Sequence, residues 1–278
     1  MADLALRQNG RLLVRRPGLV LSVLVLAAVL LAAFAPALFT SYDPISGVPA
    51  ERLQGPSAAH LFGTDETGRD VFARVVHGAS LSLRATVLAV LVALVAGAAL
   101  GLLAGFRGGW ADALVMRVVD VLQAVPAILL SLALVTGLGF GTTNVAIAVG
   151  VANLAAFARL MRAEVLRVRT GVFVEAARAG GVRWTGVLGR HVLPHALGPV
   201  LVLATITFGT AVLEVSALSF LGFGATPPTP EWGALVAGGR NFLATAWWMT
   251  TFPGLTVAAV VLAANRLSRA FDGERSGR

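Results

Sequence analysis

Leu81 to Gly105 reads LSLRATVLAVLVALVAGAALGLLAG, and this stretch decides the class of fold. A helix rises ~1.5 Å per residue, so about 20 apolar residues cross the ~30 Å hydrocarbon core of a bilayer. The segment is long enough, and its single charge, Arg84, stands near one end. In lipid every backbone polar group must pair internally, which makes a helix the form such a run takes. Ala93, Gly97, Gly101 and Gly105 recur every four residues and make a flat ridge against which another helix packs closely.

Two further segments are equally clear, Gly18 to Phe39 and Leu197 to Leu221. Three weaker ones complete the set: Ala113 to Gly137, which carries Arg117 and Asp120 near its start, Thr143 to Met161, and Trp247 to Leu267. The expected fold is therefore an all-α membrane protein of six transmembrane helices. Its divisions are an N-terminal cytoplasmic or interfacial segment (1–17), a first spanning helix (18–39) and an outer loop (40–80). A core of five spanning helices (81–268) with a long cytoplasmic connection (162–195) and a C-terminal tail (269–278) follow.

Composition agrees, because 57% of the 278 residues are hydrophobic and 13% charged, whereas a water-soluble domain needs roughly a quarter charged residues. All 22 basic residues are arginine. The net charge of +8 could suggest nucleic acid, but no basic stripe interleaved with exposed aromatics accompanies it. Without cysteine there is no disulfide framework or thiolate metal site. Without lysine there is no phosphate loop of the G-x-x-x-x-G-K-[ST] type, so the chain has no ATPase site of that kind.

Arginines sort the loops, since cytoplasmic segments are enriched in them. With the N-terminus inside, only Arg52, Arg69, Arg74, Arg84 and Arg240 fall outside, together with Asp43, Glu51, Asp65, Glu66, Asp70 and Glu231. Both termini are expected in the cytoplasm. Arg7, Arg11 and Arg15 share a helical face that suits an interfacial helix on anionic lipid, with a disordered basic tail as the alternative. Arg15-Arg16 followed by Ala33-Phe34-Ala35 also fits a signal peptide, but the apolar run exceeds a signal core and reads as a retained anchor.

The connection from Arg162 to His195 is the most informative. It reads as short helices broken at Gly171 and Gly180-Gly181 and stopped by Pro194, which lacks a backbone donor. The alanines of Glu175-Ala176-Ala177, beside a glycine bend, form a compact knob able to enter a groove of another protein, with Glu175, Arg178 and Arg183 to orient it. An ordinary amphipathic helix on the membrane surface is the other reading.

Glu175 to Pro194 resembles the EAA motif (E-A-A, three residues, G, nine residues, x-x-L-P) of permeases in binding-protein-dependent ATP-binding-cassette importers. His191 stands where the general pattern prefers isoleucine, yet Arg190-His191-Val192-Leu193-Pro194 resembles the dipeptide, oligopeptide and nickel branch. His60-Leu61-Phe62-Gly63-Thr64-Asp65-Glu66-Thr67-Gly68-Arg69-Asp70 is similar to that branch's H-x-F-G-T-D-x-x-G-R-D signature. Gly108-Gly109-Trp110 with Met116-Arg117-Val118-Val119-Asp120, Leu218 to Gly222, Pro227 to Gly233 and Phe252-Pro253-Gly254 resemble further segments, in the right order.

The resemblance implies a type I importer permease fold (MetI-like) in the inner, cytoplasmic membrane of a bacterium or archaeon, here the second or C-type permease. It implies a homologous second permease, two ATPase subunits that bind ATP and Mg, and an extracytoplasmic substrate-binding protein as partners, with no nucleic acid and no cofactor in this chain. Glu175, Ala176, Ala177, Arg178, Gly181, Leu193 and Pro194 would form the ATPase-coupling surface. The cargo, peptide or nickel and metal chelates, stays open.

Asp65, Glu66 and Asp70 lack the spacing of an EF-hand and suggest structural order with Arg69 pairing locally. Glu214 lies inside a span, where a carboxylate lines a pathway or meets a neighbouring helix. Asp120 and Arg117 are expected to pair across one helical turn. His191 and His195 share a face, but Pro194 intervenes and no third metal ligand follows, while His60 and His77 are isolated. A secondary transporter or channel would need paired ionisable residues or broken helices at mid-membrane. An intramembrane enzyme would need a nucleophile with its base, or a metal cluster, and neither can be assembled.

Overall fold

A computed structural model describes residues 17–276, with side chains to Ala270. The arginine face at Arg7, Arg11 and Arg15 lies outside the described residues, as do Arg16 and the side chains of Arg275 and Arg278. The helices are α1 (Pro17–Phe34), α2 (Val71–Arg107), α3 (Gly109–Ala124), α4 (Ala127–Leu138) and α5 (Thr142–Arg169), followed by α6 (Val172–Ala179), α7 (Leu193–Phe220), α8 (Trp232–Gly239) and α9 (Trp248–Ser276). Among the described residues five helices are long and apolar enough to cross a membrane, or six if the bent pair α3–α4 is one span.

Several boundaries differ from the sequence reading, each for a local reason. Ala35 precedes Pro36 and leaves helical geometry (φ −139°, ψ 62°), so α1 ends at Phe34 rather than Phe39. The second span begins at Val71, ten residues before Leu81, because Asp70 accepts a hydrogen bond from the Ala73 N–H at 2.6 Å and caps the first turn. The span expected from Ala113 to Gly137 is two helices meeting at 98°, with Val125 extended (ψ 133°) before Pro126. Pro194 does not stop a helix. A π-helical turn, Val187–Val192, brings the chain into α7, and Leu193 N–H donates to Leu188 O. Pro194 then falls in the first turn of α7, where a missing N–H is tolerated.

The chain divides into two compact units. One holds residues up to Ala85, Phe140–Thr142, and Phe208 onward. In it α9 packs along α1 and α8. Its core gathers Val75, Val76, Val212, Trp232, Trp248, Met249 and Val260. Phe62 stacks on Phe252 with centroids 4.3 Å apart, and Trp248 Nε1 donates to Thr64 O at 3.0 Å.

The other unit holds Thr86–Gly139 and Thr143–Thr207. Here the small-residue ridge of α2 meets α5 of the same chain. A Cβ at Gly97 would stand 2.6 Å from both Leu154 O and the Phe157 Cβ, and one at Gly101 would meet Ala158 O. Glycine is what lets the two backbones approach this closely. The ridge, expected to face another helix, is thus occupied by the chain's own α5 and is not a free surface for a second subunit. Asp120 does not pair with Arg117. It takes Arg159 of α5 at 2.7 Å, and Asp112 of α3 accepts both Arg162 Nε and Nη2 at 2.5 and 2.6 Å.

Candidate functional site

The segment from 162 to 195 contains one exposed helix held on a buried foundation. Gly171 caps the start of α6 in extended geometry, and Val174, with no exposure, locks the helix into a core of Phe157, Met161, Val165, Val187 and Val192. One turn outward the same helix presents Glu175, Ala176 and Arg178 to solvent, with Val172 at 81% exposure beside them. Ala177 is half-buried. Phe173, at 44% exposure, is likewise left outside that core.

Spacing within the motif follows from how α6 ends. Gly181 N–H donates to Arg178 O at 3.0 Å and Val182 N–H to Ala177 O at 3.1 Å. This is a Schellman termination, which places the residue after the cap in left-handed geometry. Gly181 is that residue, with φ +79°. Ala177 supplies the carbonyl that the returning Val182 needs, so the four-residue interval from Ala177 to Gly181 is that of a helix closing on itself. Leu193 is partly buried against the same core as Val174, whereas Pro194 is exposed. His195 Nδ1 lies 2.7 Å from His191 O, and its ring meets Phe173 at 5.0 Å. Of the seven residues expected to couple, Glu175, Ala176, Ala177, Arg178 and Gly181 lie on α6 and its closing turn, Leu193 packs on the core beneath them, and Pro194 stands at the start of α7. Glu214, partly buried on α7, belongs to the other unit.

A second constellation stands in the segment before α2. Asp65 accepts hydrogen bonds from Thr67 N–H and Oγ1, both at 2.8 Å, from Arg69 N–H at 3.0 Å and from Arg69 Nε at 2.7 Å. Burial pushes the Asp65 carboxyl up, but the bonds from Arg69 and Thr67 outweigh it and hold the group below the usual 3.8. Arg69 pairs locally, as its spacing suggested. Arg74, buried, donates to Pro44 O at 2.8 Å. Asp65 is thus committed to backbone, hydroxyl and guanidinium donors, and among the described residues no group of three metal-ligating side chains converges.

Two parts of this region were not legible in sequence. His60, read as isolated, is buried with Nδ1 2.8 Å from Asp70 and Nε2 3.4 Å from Glu51. The helix cap at Asp70, ten residues on, was its only local signal. Glu231 is fully buried at the start of α8, where Oε1 accepts from Gly233 N–H at 3.1 Å and from Ser82 Oγ at 3.3 Å, and Oε2 from Ala234 N–H at 3.1 Å. Burial raises its pKa above the ordinary 4.5 despite these bonds. The Pro230-Glu231-Trp232-Gly233 run carried a hint, since an acid before a helix start is a common cap.

Helices long and apolar enough to cross a membrane, with one short exposed helix anchored between two of them, are the features of an integral membrane protein. Residues 97–276 match the family described as binding-protein-dependent transport system inner membrane component, and the chain belongs to that family. It is 44% identical over 253 residues to the dipeptide transport system permease protein DppC of Alkalihalophilus pseudofirmus, covering 91% of this chain and 82% of that one. The di/tripeptide permease DppC of Pseudomonas aeruginosa is 42% identical, covering 82% and 74%. The glutathione permease GsiD of Pectobacterium atrosepticum is also 42% identical, covering 84% and 77%.

In fold, the chain is similar to a solved amino acid ABC transporter (TM-score 0.57, 17% identity, 73% of this chain and 94% of that one). It is similar also to the inward-facing MetNI methionine transporter (TM-score 0.53, 23% identity, 71% and 95%). The chain is the transmembrane permease subunit of an ATP-binding-cassette importer, with the MetI-like fold, and is a transport component rather than an enzyme. It works with ATPase and permease partners.

Proposed function

We propose that this permease carries short peptides, and that α6 with its Gly181 termination is the contact through which separate ATPase subunits move it. The observation that carries the substrate class is the 44% identity to a dipeptide permease across nine-tenths of the chain. Coupling is supported by the geometry of the knob. Val174 fixes α6 to the core that also receives Leu193, so a push on Glu175, Ala176 or Arg178 passes into the base of α7 rather than being lost in a loop. Rigid packed elements transmit displacement in this way.

The complete transporter on this reading has this chain and a homologous permease as its two membrane halves, and two ATPase subunits that bind ATP and Mg. An extracytoplasmic binding protein delivers the peptide. It lies in the inner membrane of a bacterium or archaeon, surrounded by the lipid bilayer. Glu214 lines the pathway or a helix interface within it.

Purification of the intact complex with its binding protein, followed by mass spectrometry of the retained ligand, tests the substrate class. Di- or tripeptides are the expected result. Nickel or a metal chelate in their place overturns the peptide reading while leaving the permease assignment intact.

A further inference from the structure

A cleft of about 640 Å³ opens between the C-terminal end of α2 and the turn that follows α6. Its walls are Ala99, Leu102, Leu103, Phe106, Trp184 and Leu188, and Arg107 stands at its rim. The volume falls within the ~300–1,000 Å³ of ordinary small-molecule clefts. Leu102, Phe106 and Leu188 are packed against the core beneath, and the Trp184 and Phe106 rings lie 6.1 Å apart, so the floor is built. Leu103 and Trp184 stay 46% and 66% exposed.

Two features choose the occupant. The α2 wall is the last stretch of a helix apolar enough to span a membrane, and the groove runs along it to Trp184 and Arg107, residue types that anchor at the lipid interface. That end also carries more guanidinium groups than carboxylates to pair them, with Asp112 acting on both Arg162 and Arg169. Ion pairs there join Arg159 to Asp120, Arg162 to Asp112 and Arg167 to Glu164, and none among the described residues takes Arg107 or Arg169. Arg169 donates to Gly105 O at 2.8 Å, which sets a second guanidinium against the last turn of α2. A molecule with a long apolar chain and an anionic head satisfies both ends.

We propose that this cleft is a binding site for one anionic phospholipid of the cytoplasmic leaflet, its acyl chain on the Leu103–Phe106 wall and its phosphate on Arg107. The site adjoins the base of the coupling segment through Trp184 and Leu188, so an occupied cleft braces that segment.

The test uses the intact complex in detergent and native mass spectrometry with phosphatidylglycerol and phosphatidylcholine. Wild type is expected to retain phosphatidylglycerol selectively. Arg107→Gln is expected to weaken retention about fivefold, the equivalent of ~1 kcal/mol and the magnitude for one arginine at an anionic membrane surface. Leu103→Trp is expected to abolish it by filling the groove. Because the chain has no cysteine, a fluorophore on Leu103→Cys gives an independent readout should the tryptophan variant fail to fold. Brominated phosphatidylglycerol in nanodiscs is expected to quench it more strongly than brominated phosphatidylcholine. Equal retention and equal quenching by the two lipids would mean annular lipid only, and would overturn the site. Protection of the label from both, with crosslinking to another subunit or to the N-terminal segment, would overturn it in favour of a protein occupant.

Discussion

Replacing Gly181 by valine isolates the backbone requirement of the proposed coupling knob. Nothing stands within 4 Å of where a Gly181 Cβ would project, so no neighbour is struck and the whole penalty is conformational. Holding an L-residue at φ +79° costs about 1–2 kcal/mol, and β-branched residues are the worst tolerated there. That is a ~5–30-fold shift against the closed Schellman turn and its two hydrogen bonds from Gly181 and Val182. Asparagine enters the left-handed region more readily, so Gly181→Asn is expected to be mild. The assay is peptide-stimulated ATP turnover by the reconstituted complex, with retention of the ATPase subunits on the affinity-purified permease measured beside it. Valine should lower both while membrane abundance holds, and asparagine should restore most of the loss. If valine, asparagine and wild type behave alike, the turn carries no coupling and the reasoning fails.

Other positions give separate expectations. Gly97→Leu forces a side chain into Leu154 O and Phe157, where backbone cannot yield, and should destabilise the permease by ~1–3 kcal/mol, read as a lower melting temperature of the purified complex. Burial disfavours the charged form of Glu231 in the fold and raises its pKa above 4.5. Its contribution is therefore fully present below pH 4.5 and lost as pH rises through the higher folded value. Glu231→Gln should flatten that decline in thermal stability, and a parallel pH profile would contradict the burial argument. Single cysteines at Ser57 and Thr185, both exposed, should react with an impermeant reagent from opposite sides of the membrane. Labelling from the same side would refute the arrangement read from the arginines.

How much was readable in the sequence depended on the range of the interaction. Lipid imposes its demand residue by residue, so the apolar runs at Leu81 and Leu197 announced themselves without knowledge of any neighbour. The glycine ridge was equally plain, but not its partner, because nothing local says that Gly97 and Gly101 will meet α5 of the same chain. Asp120 was assigned to Arg117, one turn away, when Arg159 on another helix lies 2.7 Å from it. Pro126 carried a signal that hydropathy averages away, and the result is a 98° bend inside an apolar stretch. Pro194 shows the reverse case, where a π-helical turn absorbs a residue that local rules read as a stop. At the knob, Glu175-Ala176-Ala177 and Gly181 were recognisable as a pattern, yet the burial of Val174 and the Ala177 carbonyl closing the turn needed the fold. His60 and Glu231 were hidden for the same reason, since burial and partners from distant segments define them.

On the proposed function this chain is a passive half-pathway driven by subunits outside itself. Uptake of a labelled dipeptide into proteoliposomes holding both permeases, both ATPases and the binding protein tests it most directly. Accumulation should require ATP and the binding protein together, and should vanish when the ATPase subunits are omitted. Uptake by the permeases alone under an ion gradient, without ATP, would contradict the claim and return the protein to the class of secondary transporters.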